Sequence, residues 1–108
     1  MVSMSGDLDI DSTPEFSGRL DAITAAAGVH VIVELSGVRF IDSSGLNALV
    51  VGARETKRRG GSLVVAAPSQ YVARVFDLVR LRESLDVVES VDEALALHTA
   101  VNAQTDPA

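Results

Sequence analysis

The sequence predicts a single α/β domain. Apolar segments rich in β-branched residues, which are typical of strands, alternate along the chain with amphipathic segments of helical periodicity. The strand-like segments are apolar almost throughout, which indicates a sheet that is largely covered. A chain of 108 residues is long enough for one domain with its own core. We expect this domain to span residues 1–101 and residues 102–108 to form a flexible polar tail.

The beginning of the chain predicts a strand followed by a helix. Residues 1–8 alternate in the pattern of a short strand. Ser12 and Glu15 have the spacing of a capping box, and Thr13 is an alternative N-cap that would place Pro14 at the first helical position. The helix then presents one apolar stripe, and Gly28 is expected to end it. The stripe consists of Phe16, Leu20, Ile23 and Ala27.

The middle of the chain predicts a buried strand and a second helix. The strand covers residues 29–35, and Ser36-Gly37 is expected to break it. The helix begins at Asp42 or Ser43, both of which can cap it, and stops at Gly60. At 100° per residue, its apolar residues fall on one side, which we expect to face the core. These residues are Leu46, Leu49, Val50 and Ala53.

The end of the chain repeats the alternation. Residues 63–67 form an apolar strand, and Pro68-Ser69 opens a third helix. Residues 85–88 form a short strand, and Ser90 with Glu93 opens a last helix. The predicted apolar stripes are Val72, Val75, Phe76 and Val79 in the third helix, and Ala94, Leu97 and Val101 in the last.

Composition excludes several classes of function. The net charge of −6 argues against nucleic acid and against anionic membranes as the main partner. The basic run Lys57-Arg58-Arg59 suits the last turn of a helix, where cations complement the helix dipole. The chain has no cysteine, no run that suggests a membrane span and no nucleotide-binding fingerprint. Residues 1–6 lack the basic and apolar pattern of a signal peptide, so we expect none. We therefore expect a cytoplasmic protein that needs no cofactor and no metal.

The most informative segment is Phe40-Ile41-Asp42-Ser43-Ser44-Gly45-Leu46, where a strand leads into a helix. One Ser or Asp at a helix start is usually a cap, which stabilises the helix by about 1 kcal/mol. Three polar residues followed by glycine exceed what a cap needs. Gly45 costs the helix about 1 kcal/mol relative to alanine, and we interpret it as allowing another molecule to approach the turn.

A phosphate on Ser43 would be tolerated at this position. Unpaired N–H groups and the positive end of the helix dipole stabilise an anion there. The added charge of about −1.5 to −2 would lie beside Asp42, within any docking surface. Since desolvating that charge is costly unless a partner supplies cations, the modification would weaken binding without unfolding the domain.

The same segment resembles the signature of STAS domains, and most closely that of the bacterial anti-sigma factor antagonists. Four further segments agree with this family in order and spacing, so the resemblance spans residues 5–99. They are Gly6-Asp7-Leu8-Asp9, Arg59-Gly60-Gly61-Ser62-Leu63, Val75-Phe76-Asp77-Leu78 followed by Leu81, and Val91-Asp92-Glu93-Ala94.

The resemblance implies a partner-switching function. The unphosphorylated protein would bind an anti-sigma factor that is also a serine kinase, which frees a sigma factor. The kinase would then phosphorylate Ser43, with Ser44 as the second choice, and a separate serine phosphatase would reset the protein. Asp42 would position the site, and Asp7 and Asp9 would contribute to the docking surface. At 100° per residue, Asn47, Val51 and Arg54 fall on the surface side of the second helix, close to the direction of Ser43. We expect the partner surface on this helix to include them together with Gly45.

The resemblance also implies a STAS fold, a mixed β-sheet covered by about four α-helices. We expect the usual first strand of the family to be missing or shortened in this chain. Its absence would leave a sheet edge less covered, which favours dimerisation, or would simply reflect where the sequence starts. We therefore expect a monomer or a weak homodimer. Arg80 stands where many relatives have glycine, which affects the expected partner surface rather than the fold.

Three other functions were weighed. An enzyme is disfavoured because the two histidines, His30 and His98, lack the context of a catalytic triad. A constitutive STAS scaffold, such as an accessory subunit of a transport or signalling complex, stays open, although it would not need the hydroxyl of Ser43. A nucleotide-binding module would need a basic phosphate cradle near Gly45, which the sequence does not offer.

Overall fold

The computed structural model describes residues 2–97, so the expected tail and the predicted positions of His98 and Val101 lie outside the described residues. Strands and helices alternate as predicted. The strands are β1 (Val2–Leu8), β2 (His30–Ile41), β3 (Ser62–Ala66) and β4 (Asp86–Val88). The helices are α1 (Thr13–Thr24), α2 (Ser43–Arg58), α3 (Gln70–Leu78), a 3₁₀ turn (Leu81–Glu83) and α4, which covers residues 91–97.

The four described strands form one sheet in the order β1-β2-β3-β4. The predicted α/β class is confirmed. All described pairings are parallel, so this sheet is parallel rather than mixed. The reason is that each strand is joined to the next by a helical crossover, which returns the chain to the same end of the sheet. The carboxyl ends of β1 and β2 therefore lie side by side at one end of the sheet, where α2 begins.

The main core lies between one face of the sheet and the helices α1, α2 and α3. Alternate residues of β2 point into it, as the period of a strand requires. Its fully buried side chains include Val31, Val33, Leu35, Phe16, Leu20, Leu49 and Phe76. A smaller cluster on the opposite face is covered by α4, and it contains Ile32, Val64, Ala66 and Ala94.

Three expectations about the elements are wrong in detail. Helix α1 ends at Thr24, where the guanidinium of Arg59 donates a hydrogen bond of 2.7 Å to the Thr24 carbonyl oxygen. Ala27 therefore lies beyond the helix, and Ile23 is 39% exposed. Val79, another predicted core residue, is exposed because α3 ends before it, at Leu78. Leu97 is exposed because Ala94 is the residue of α4 that packs into the small second core.

Strand β2 is longer than the sequence predicts. It continues through Ser36-Gly37 to Ile41 instead of ending at Leu35. A Cβ atom at Gly37 would lie 3.0 Å from the Cβ of Ser5, so the glycine allows β1 to pass close to β2. The pairing register shifts at this point, as it does at a β-bulge. The extra residues carry the chain to the edge where α2 starts.

Within residues 2–97, no helix combines the length and the apolar character that a membrane crossing requires.

Candidate functional site

Asp42 is the cap of α2 and connects it to the neighbouring loop. One carboxylate oxygen accepts hydrogen bonds from the backbone N–H groups of Ser44 (2.9 Å) and Gly45 (3.2 Å). The other accepts from the N–H of Ile10 at 3.2 Å, and the N–H of Asp42 donates to the Leu8 carbonyl oxygen at 3.2 Å. The open choice between two caps is thus decided for Asp42, which ties the ends of β1 and β2 together.

Ser43 is the first residue of α2, and its side chain is exposed. Because Asp42 satisfies the N–H groups at the helix start, the helix does not use the hydroxyl of Ser43 as a cap. Within residues 2–97 that hydroxyl has no hydrogen-bond partner. Ser44 is half-buried, with its N–H held by Asp42. The two serines therefore differ clearly in access.

Gly45 is buried and serves a contact within the chain. A Cβ atom at this position would lie 2.7 Å from the Leu8 carbonyl oxygen, and 2.9 Å from the Leu8 Cγ and the Ile41 Cγ1. A contact within the chain is therefore sufficient to explain this glycine, and the expected contact of Gly45 with another molecule stays a prediction. The close neighbour is the end of β1, and glycine is needed because α2 starts directly against it.

The acidic residues of the first loop have different surroundings. The Asp9 carboxylate accepts hydrogen bonds from the N–H groups of Ser12 (3.1 Å) and Asp11 (3.0 Å). These bonds, that from Ser12 first, hold the pKa of Asp9 below its ordinary value. Ser12 donates its hydroxyl proton to the Asp7 carbonyl oxygen (2.7 Å) and does not form the predicted capping box. Asp9 thus organises the loop, and the exposed Asp7 carboxylate lies 3.7 Å from Arg39.

The predicted surface side of α2 divides into two regions. Asn47 and Val51 are exposed and line a groove of about 200 Å³ between α1 and α2, together with Ser44. Arg54 lines a different cleft, near the start of β3. On an α-helix, eleven residues separate Arg54 from Ser43 by about 16 Å. The structure thus assembles the loop acids, Asp42 and Ser43 at one edge and leaves Arg54 well away from them.

Sequence reasoning missed two exposed apolar features near this edge. Ile10, whose N–H is bound by Asp42, is 71% exposed. Phe40, two residues before Asp42, stacks on Tyr71 with ring centroids 6.1 Å apart, and both rings are nearly half exposed. An apolar residue between two aspartates of a turn is the signal that could have revealed Ile10, because turns favour polar residues.

Known proteins and a protein-family model are similar to this chain over most of its length. The family model described as "STAS domain" matches residues 1–94. The chain belongs to the STAS domain family. The anti-sigma-B factor antagonist of Bacillus subtilis (strain 168) is 30% identical to it over 86 residues, which are 80% of this chain and 78% of that protein.

Solved structures resemble this STAS domain closely. An anti-sigma factor antagonist from Mycobacterium paratuberculosis matches with a TM-score of 0.81 and 25% identity, over 90% of this chain and 82% of that one. A sulfate transporter family protein from Wolinella succinogenes matches with a TM-score of 0.78 and 22% identity, over 94% and 84% of the two chains. The second likeness shows the common fold alone.

Ser43 lies at the positive end of the dipole of α2, and its side chain points to solvent. The N–H groups of Ser44 and Gly45 are already bound by Asp42. Among residues 2–97, no cluster of three or more His, Cys, Asp or Glu side chains could hold a metal ion. His30 lies at the start of β2, the other end of the sheet from Ser43, with its Nδ1 2.8 Å from the Ser62 hydroxyl.

Proposed function

We propose that this STAS domain is a cytoplasmic anti-sigma factor antagonist controlled by phosphorylation of Ser43. Its unphosphorylated form binds an anti-sigma factor that has serine kinase activity, and this binding frees a sigma factor. Phosphorylation ends the binding, and a serine phosphatase restores it. The role is supported by the Bacillus subtilis relative, which carries the name of an antagonist and aligns over most of both chains.

The observation that carries the proposal is the free, exposed hydroxyl of Ser43 beside a cap made by another residue. A structural serine at a helix start normally accepts a backbone N–H bond, and here Asp42 already accepts two. The hydroxyl of Ser43 is therefore dispensable for the helix and accessible to an enzyme. Ser44 is the weaker candidate, since it is half-buried and faces the groove beside α1.

The chemistry is a phosphoryl transfer in which this chain supplies the acceptor. The Ser43 oxygen forms a bond to the γ-phosphorus of ATP, the bond between that phosphorus and the β–γ bridging oxygen breaks, and ADP leaves. The hydroxyl proton passes to a base of the partner kinase. In the reset, the phosphatase delivers water to the same phosphorus and releases inorganic phosphate.

The phosphate would act on the docking surface rather than on the fold. The N-terminus of α2 stabilises the new dianion, so the domain stays folded. The dianion joins the carboxylates of Asp7 and Asp42 on a protein whose net charge is already −6. A partner that fits the neutral hydroxyl must now desolvate or neutralise two more negative charges, which weakens the complex.

The test uses purified anti-sigma factors with kinase domains from the host organism. Each is incubated with ATP and the protein, and phosphopeptides are located by mass spectrometry. We expect phosphate on Ser43 in the wild type and in the Ser44→Ala control, and none in Ser43→Ala. Ser43→Ala should stay bound to the kinase when ATP is present, whereas the wild type should dissociate.

A charge-mimicking variant separates the switch from a constitutive scaffold. Ser43→Asp should bind the anti-sigma factor more weakly than Ser43→Asn, because the two differ mainly by one negative charge. If Ser43→Asp and the phosphorylated protein both bind as tightly as the wild type, the switch is refuted and the domain acts as a scaffold.

A further inference from the structure

A second charged surface lies at the far end of α2. A cleft of about 390 Å³ opens between the last turns of this helix, the start of β3 and the segment leading into β4. Its charged lining consists of Arg54, Lys57 and Arg82 with Glu83 and Asp86. Ser62 and Asp86 are the first residues of their strands, so the cleft lies at the amino ends of the strands. Ser43 lies at the opposite end, beyond the carboxyl end of β2.

Two of the cations in this cleft are not neutralised by the described part of the chain, residues 2–97. Arg82 binds Asp77 at 2.8 Å, and the neighbouring Arg58 binds Glu55 at 2.7 Å. By contrast, the side chains of Arg54 and Lys57 form no ion pair or hydrogen bond with any of residues 2–97. Unpaired positive charges on an acidic protein are available for a contact with an external acidic group.

Arg54 and Ser43 lie on the same side of α2. Eleven residues bring an α-helix to within about 20° of its starting direction and advance it by about 16 Å. Lys57 lies three residues further, about 21 Å from Ser43 along the axis. A standard interface buries about 800 Å² on each partner, which is a patch about 28 Å across. A protein that docks with Ser43 near one side of such a patch therefore also covers Arg54 and Lys57.

We propose that Arg54 and Lys57 are a second contact for the partner that docks at Ser43, and that they bind an acidic segment of it. This inference rests on the proposed function. The protein surface then carries opposite charges near the two ends of α2. The carboxylates of Asp7 and Asp42 lie near Ser43, and the two cations lie in the cleft. A partner with a basic site for Ser43 and an acidic patch about 16 to 21 Å away fits in one orientation only.

The lining of the cleft favours a protein over a small free anion. Glu83 and Asp86 face the cations across the same cleft, and they would repel a multivalent anion that diffused into it. A carboxylate held on a partner surface can meet the wall formed by α2 without entering further. Since Arg54 and Lys57 are exposed, their contact should accelerate association and depend on salt.

The experiment compares charge reversals at two ends of the sheet. Arg54→Glu and Lys57→Glu change the cleft, and Arg19→Glu is the matched control with the same change in net charge. Arg19 lies on α1, where it contacts Met4 of β1, the strand at the other edge of the sheet from β4. Rates of association with the anti-sigma kinase that binds the wild type are measured at about 0.15 M and about 1 M salt, where the Debye length is about 8 Å and about 3 Å.

We expect Arg54→Glu and Lys57→Glu each to slow association by about three- to tenfold at the lower salt, and the effect to shrink at the higher salt. Arg19→Glu should change the rate by less than about twofold. Equal losses in the cleft variants and in the control would overturn the second contact while the proposed function stands. A wild type that binds none of the host's anti-sigma kinases would overturn both.

The alternative occupant of the cleft is a small free anion. Calorimetric titration of the protein with pyrophosphate tests this alternative. Saturable binding to the wild type that is lost in Arg54→Glu, combined with unchanged association with the kinase, would assign the cleft to a small anion and overturn the proposal. No saturable heat, together with the salt-dependent loss of association, supports the acidic segment of the partner.

Discussion

The contact between Gly45 and the end of β1 predicts an unusual response to alanine. Glycine is a poor helix former, so replacing it inside a helix with alanine normally stabilises a protein by about 0.5–1 kcal/mol. We expect Gly45→Ala to do the opposite. The new methyl group would lie 2.7 Å from the Leu8 carbonyl oxygen and 2.9 Å from Leu8 Cγ, and a buried backbone carbonyl cannot move aside as the end of a long side chain can.

The expected magnitude follows from these distances. Overpacking a well-packed core costs about 1–3 kcal/mol, and a clash with buried backbone belongs in the upper half of that range. The gain in helix propensity offsets up to about 1 kcal/mol. The net loss of free energy of unfolding is therefore about 1–2 kcal/mol. For a domain of this size, each kcal/mol lowers the melting temperature by about 4–8 °C.

Gly18→Ala is the matched control, because Gly18 lies in α1 with no atom within 4 Å of the position of the added Cβ. It should raise the free energy of unfolding by about 0.5–1 kcal/mol. Urea unfolding followed by circular dichroism measures both variants on one scale. If Gly45→Ala is as stable as Gly18→Ala, the close approach of α2 to β1 is not the reason for glycine, and our account of the site is refuted.

Three further predictions concern the stability of the folded protein and are tested by urea unfolding. Arg80 has a positive φ of 54°, a conformation that costs a residue with a side chain about 1–2 kcal/mol. Arg80→Gly should therefore raise the free energy of unfolding by about 1 kcal/mol. An unchanged urea midpoint would contradict this expectation. Asp42→Ala should lower it by about 1–2 kcal/mol through loss of the cap, whereas Ser43→Ala should change it by less than about 0.5 kcal/mol. The pKa of Asp9 is lowered in the folded protein, so its stabilising effect is present above the ordinary aspartate pKa of about 4 and is lost as the pH falls through the lower folded value. Asp9→Asn should therefore weaken the dependence of the urea midpoint on pH between about 2 and 5, and an identical dependence in both proteins would rule out this role.

Local patterns in the sequence were sufficient for the alternation of elements and for the location of the site. Periodicity identifies strands such as β3 and the buried side of α2, because each depends on neighbours a few residues apart. The segment from Asp42 to Gly45 was recognised at a helix start for the same reason. The resemblance to the STAS family added the choice of Ser43 within that segment.

Contacts between distant residues account for what the sequence did not predict. The need for glycine at position 45 comes from Leu8, and Gly37 sits inside β2 because Ser5 passes close to it. Neither contact leaves a signal in a local window. Likewise, only the placed backbone distinguishes Asp42 as the cap from Ser43, since both residue types cap helices equally well.

The way in which Asp42 joins two segments has a consequence for timing. One carboxylate holds both the first turn of α2 and the N–H of Ile10 in the preceding loop, so the surroundings of Ser43 are already assembled before any partner arrives. If Ser43 is modified as we propose, the protein has no slow rearrangement to complete after the phosphate is added or removed. The delay between a signal and its readout would then be set by the kinase, the phosphatase and diffusion, and this domain would add none of its own.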